Sequence, residues 1–158
     1  ICSNLKLSRR ERERIQTIHK RFGYIPNQSK QSMRKYRFIL GEFAEKNLLL
    51  GKIILENNIK ISNEKTDFFS IEDLEDRLEL LRTLDKQKTN GEPIADGNWI
   101  MNQTGLPKGI RLGRLKSWLH TIQIERDITN ISQIERILST LSWENSDFNQ
   151  WPQLKFPP

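Results

Sequence analysis

Apolar residues recur three and four positions apart along almost the whole chain, and nowhere do they alternate over a sustained run, which commits the sequence to helices. Ser8, with Glu11 three residues on, forms a capping box ahead of Ile15, Ile18 and Phe22, and Gly23 stops that helix. Met33, Tyr36, Leu40 and Phe43 mark a second helix that Gly41 breaks or kinks. Leu48, Leu49, Leu50, Ile53, Ile54 and Leu55 predict a third, apolar on most sides and hence central to the core, ending at Asn57 and Asn58. After a looser stretch at 60–67, Ser70 and Asp73 repeat the cap signature before the cleanest stripe, Ile71, Leu74, Leu78 and Leu81. A short element carries Trp99, Ile100 and Met101. A long helix carries Leu112, Leu115, Leu119 and Ile122, and a last one, after a turn at 127–130, turns Ile131, Ile134, Leu138 and Leu141 inward. Asn90-Gly91 lies between polar residues and gives no hairpin signal. The expected fold class is all-α, with elongated body and tail subdomains and no sheet.

The polar run at 86–97, with Gly91, Pro93 and Gly97, reads as a linker dividing a helical body, residues 1–88, from a helical tail, residues 89–158. From Ser142 the tail becomes an aromatic, proline-rich strap with Trp143, Phe148, Trp151, Pro152, Phe156, Pro157 and Pro158. A chain of 158 residues that starts at Ile1 reads as a piece of something longer, incomplete at the N-terminus of its body. No run approaches the roughly 18 apolar residues of a membrane span, so no membrane partner is expected. Cys2 is the single cysteine, and His19 and His120 are the two histidines, which excludes a disulfide and a Cys/His metal cluster and fits a cytoplasmic setting.

The net charge of +6 is segregated. Residues 6–37 carry eleven basic side chains against two acidic, 42–96 carry eight against thirteen, 98–126 five against one, and 127–158 two against four. Two positive blocks separated by an acidic one suit helical surfaces that meet one polyanion. In the first block the candidates are Arg9, Arg10, Arg12 and Arg14, then Arg34, Lys35 and Arg37. The acids Glu72, Asp73, Glu75, Asp76 and Glu79 read as a solvated helix face.

The second block centres on Gly105 to Gln123. Gly105, Gly109 and Gly113 allow close backbone approach or positive φ, Pro107 stiffens the loop, and the following helix offers unpaired N–H groups and the positive end of its dipole. Lys108, Arg111 and Arg114 stand near that end, with Arg111, Arg114 and Trp118 along one border of the apolar stripe. These features predict an RNA phosphate site on Lys108, Gly109, Arg111 and Arg114. The competing expectation is a tight turn in which Gly109 and Gly113 are needed for folding and the cations are merely solvated.

The sequence Leu5-Lys6-Leu7-Ser8-Arg9-Arg10-Glu11-Arg12-Glu13-Arg14, the Ile94-Ala95-Asp96-Gly97 turn, Gly105-Leu106-Pro107-Lys108-Gly109-Ile110-Arg111-Leu112-Gly113-Arg114-Leu115 and Asp127-Ile128-Thr129-Asn130 come in an order that resembles the C-terminal half of the class II, bacterial-type tRNA nucleotidyltransferases, the CCA-adding enzymes and their poly(A) polymerase relatives. The likeness spans residues 5–141, and Ile110 stands where the family commonly has a second proline. It implies an RNA-binding body and tail that hold the acceptor and TΨC side of tRNA. An N-terminal head and neck of the same polypeptide would add CCA or A residues with magnesium and ATP or CTP. The head's Gly-Ser and Asp-x-Asp pattern is absent, so this chain is expected to bind no cofactor and to catalyse nothing by itself. The segment Glu72-Asp73-Leu74-Glu75-Asp76-Arg77 has its arginine one place late for the family's nucleotide-templating motif, and that role is not carried over. A free-standing helical nucleic-acid-binding module and a protein-interaction domain are the alternatives.

Overall fold

The computed structural model describes residues 8–21, 24–57, 69–85 and 91–154. Among them are seven α-helices and no strand: α1 (Arg9–Arg21), α2 (Lys30–Leu40), α3 (Phe43–Glu56), α4 (Ile71–Thr83), α5 (Gly97–Thr104), α6 (Ile110–Arg126) and α7 (Ile131–Thr140). The fold is all-α. The expected helix stop at Phe22 and Gly23, the end at Asn58, the loose stretch 60–67, linker residues 86–90 and the last prolines lie outside the described residues, as do the side chains of Arg14, Ile18 and His19.

Local chemistry sets the helix starts. Ser8 accepts from the Glu11 N–H at 3.3 Å while the Glu11 carboxylate takes the Ser8 N–H at 2.8 Å, and Ser70 and Asp73 make the same reciprocal pair at 3.0 Å each way. The N–H and O–H of Ser70, helped by Arg77, hold the Asp73 carboxyl below the usual carboxylate range. Ser29, Asp96 and Asn130 cap α2, α5 and α7. Gly41 ends α2 with φ 55°, and Asp127 ends α6 in the left-handed region at φ 52°.

Two apolar cores follow from the stripes. Met33, Tyr36 and Leu40 of α2 close on Ala44 and Leu48 of α3 and on Leu74, Leu78 and Leu81 of α4. Ile100 of α5, Leu112, Leu115, Leu119 and Ile122 of α6, and Ile134 and Leu138 of α7 surround Ala95, Ile128 and Trp151. α3 contributes to the core, with Ile53 50% exposed on its outer side, and one expectation is corrected: Ile71, in the first turn of α4, is 37% exposed instead of facing inward.

The cores meet where α2 runs along α6. Phe38 sets its ring edge-on to His120 at 5.4 Å, and Lys35 faces Glu125 at 3.9 Å. His120 Nε2 lies 2.6 Å from the Gly91 carbonyl, and burial pushes the imidazole pKa down. Gln123, 1% exposed, donates to the Glu92 carbonyl and accepts from the Ile94 N–H, both at 2.9 Å. Residues 91–95, read from sequence as the end of a linker, are thereby fastened to α6. No helix among the described residues is long and apolar enough to cross a membrane.

Candidate nucleic-acid interface

The loop from Gly105 to Gly109 delivers the start of α6 to the surface. Gly105 is the left-handed C-cap of α5, φ 70°, and its N–H returns to the Met101 carbonyl at 2.8 Å. Gly109 is extended at the N-cap of α6 and supplies no side chain to cap it, so the first N–H groups of a 17-residue helix face outward. A Cβ built on Gly109 or Gly113 meets nothing within 4 Å. The tight-turn requirement therefore falls on Gly105 alone, and the backbone at Gly109 and Gly113 is open.

These positions predict different mutational signs. Gly105→Ala places a Cβ in the left-handed region and lowers stability by about 1–2 kcal/mol. Gly113→Ala, inside an exposed first turn, raises it by about 0.5–1 kcal/mol. Urea denaturation followed by circular dichroism checks both, and a destabilising Gly113→Ala would restore the tight-turn reading.

The structure sorts the cations by what holds them. At the α6 start, Lys108 is exposed and Arg114 half-buried, and neither makes a hydrogen bond or ion pair among the described residues. Arg111 is different. Its Nη2 donates to the carbonyls of Trp143 and Glu144, both at 2.8 Å, its guanidinium stands 5.8 Å from the Trp151 ring centroid, and its Nε is buried without a partner. It pins the tail to α6.

The Arg34 to Arg37 block is likewise built into the fold. Arg34 donates to the Glu125 carbonyl at 3.3 Å, at the C-terminal end of α6. Arg37 donates through Nη1 to Leu84 and Asp85 at 3.0 and 3.1 Å and through Nη2 to Leu81, gathering the last carbonyls of α4. Burial and the neighbouring Arg34 push the Arg37 pKa down. Lys35, its side chain 15% exposed, faces Glu125. These three cations satisfy helix ends and a carboxylate within the protein. On α1, Arg9 pairs with Glu13 at 2.9 Å, while Arg10 and Arg12 are exposed and without a partner among the described residues. The Arg14 side chain lies outside the described residues.

Lys116, half-buried on α6 three residues beyond Gly113, was not singled out from sequence and also has no hydrogen bond or ion pair among the described residues. Arg77, in the acidic stretch, is buried and donates to the carbonyls of Pro26 at 2.7 Å and Asp73 at 2.6 Å. Glu75 of that stretch takes Lys52 at 2.5 Å, and Asp76 accepts from Gln28 at 2.9 Å. Among the described residues no group of three or more histidine, cysteine, aspartate or glutamate side chains is placed to hold a metal ion. No family model, curated protein or solved structure matches this chain.

Proposed function

We propose that the chain is an RNA-binding helical region, the body and tail of a cytoplasmic nucleotidyltransferase of the tRNA type, gripping the acceptor and TΨC side of tRNA while a head outside this sequence adds nucleotides. Magnesium and ATP or CTP belong to that head, and this chain supplies grip alone. The observation that carries the proposal is the division of the cations. Among the described residues Lys108, Arg114, Arg10 and Arg12 have no partner, two of them beside an uncapped helix start, while the other basic residues singled out from sequence whose side chains are described are bound within the protein. Free cations beside outward N–H groups suit phosphate, and an A-form helix offers a protein chiefly phosphates and 2′-hydroxyls. The family resemblance of the Gly105 to Leu115 run supports the choice of tRNA.

Fluorescence anisotropy with labelled tRNA between about 50 and 200 mM salt tests this, because each neutralised phosphate releases counterions. Affinity falls steeply with salt. The Lys108→Gln/Arg114→Gln pair lowers the slope by about two units, and Arg10→Gln/Arg12→Gln measures the share of α1. Binding that ignores salt, or a slope unchanged in both pairs, overturns the proposal. Incorporation of labelled CMP or AMP by the chain alone overturns the assignment of chemistry to the head.

A further inference from the structure

A groove of about 350 Å³, open to solvent, runs between the C-terminal end of α5, the outer side of α7 and the first turn of the tail, lined by Gln103, Thr104, Glu135, Leu138, Ser139, Leu141, Trp143 and Glu144. Its chemistry is opposite to that of the α6 ledge. Glu135 and Glu144 are exposed and pair with no cation among the described residues. The lining hydroxyls are turned away as donors. Thr104 Oγ1 gives its proton to the Ile100 carbonyl at 2.7 Å, and Ser139 Oγ gives its own to Arg136 at 2.8 Å. Besides the Gln103 amide, the groove is lined by two carboxylates and by the apolar Leu138, Leu141 and Trp143. Arg111 fixes the main chain at Trp143 and Glu144, so this rim is held before anything arrives.

We infer that this groove docks an arginine side chain of a basic protein segment. A guanidinium carries donors and no acceptor, so it can address two carboxylates at once, and its flat face stacks on an indole where a lysine ammonium cannot. The apolar surface accommodates the arginine stem or a neighbouring apolar residue of the segment. RNA is repelled here by the two carboxylates. The inference is independent of the proposed RNA grip and concerns a separate surface of the chain.

The test uses the full chain, isotope-labelled for NMR, titrated with the capped peptide Leu-Arg-Leu-Arg and with its citrulline counterpart, which keeps the shape and loses the charge. Expected are shifts of the Trp143 indole N–H and of the Thr104, Leu138 and Ser139 amides, with citrulline at least tenfold weaker. Glu135→Gln/Glu144→Gln weakens arginine-peptide binding at least tenfold, whereas Glu72→Gln/Glu79→Gln on the acidic face of α4 leaves it unchanged. Equal binding of the citrulline peptide, shifts confined to α4, or equal loss in the α4 control overturns the inference. Should the groove variant fail to fold, the two peptides on the unaltered chain decide alone.

Discussion

Replacing Trp151 by alanine is expected to lower stability by about 3–5 kcal/mol, the range for truncating a buried tryptophan. Trp151 lies in the tail, yet it is 5% exposed and belongs to the same core as Leu115, Leu119 and Ile134. Its ring stands 5.4 Å from Trp118 and 6.3 Å from Phe148, and its indole N–H donates to Ser146 Oγ at 2.8 Å. Removing it opens a cavity and leaves Ser146 without its donor. For a domain whose whole stability is about 5–15 kcal/mol, that loss moves the thermal midpoint by roughly 10 °C. Urea titration followed at 222 nm measures it, and a loss below about 1 kcal/mol would mean that the tail is not part of the core in solution.

The tail is also held from the other side, which makes the prediction sharper. Arg111 grips the Trp143 and Glu144 carbonyls and lies over Trp151, so the two side chains fasten one segment. Their substitutions should not add. A double-mutant cycle of Trp151→Ala and Arg111→Ala is expected to show a coupling of about 1 kcal/mol, since the first change frees the segment the second would release. Strict additivity would separate the two contacts.

Why the strap was visible and its fastening was not follows from range along the chain. Helix starts at Ser8 and Ser70 are decided within three residues, so spacing alone located them, whereas the caps at Ser29, Asp96 and Asn130 were not singled out from sequence. The stripe Leu112, Leu115, Leu119 and Ile122 was legible for the same reason, and all four are buried. Thr121, Gln123 and Ile124 are buried too, because α2 covers a second side of α6, and a helical wheel that ranks by hydrophobicity assigns Gln123 to solvent. Its burial depends on hydrogen bonds to Glu92 and Ile94, 31 and 29 residues away. The cations show the same limit. A sequence displays the charge of Arg34, Arg37 and Arg111 but not the carbonyls they reach, 91, 47 and 32 residues distant. Of the basic residues singled out from sequence, Lys108, Arg114, Arg10 and Arg12 are the ones without a partner among the described residues.

Arg37 gives the test of that division. Its guanidinium answers three carbonyls, those of Leu81, Leu84 and Asp85, at the end of a helix whose last acceptors have no partner within the helix. Hydrogen bonds from charged donors contribute more than neutral ones, and Arg37→Ala leaves several acceptors partly covered and unsatisfied, so a loss of about 2–4 kcal/mol is expected. Arg37→Lys recovers little, because an ammonium cannot reproduce the planar fork that spans the three carbonyls. If Arg37 were instead a phosphate ligand, the order of effects would invert: stability would hold while tRNA affinity and its salt slope fell. Denaturation of Arg37→Ala, with its tRNA slope measured at a temperature where it remains folded, separates the two, and a stable variant with a lowered slope would return Arg37 to the RNA interface. The unchanged slope expected here would leave the grip with Lys108, Arg114, Arg10 and Arg12, whose removal should leave stability intact and weaken only the complex.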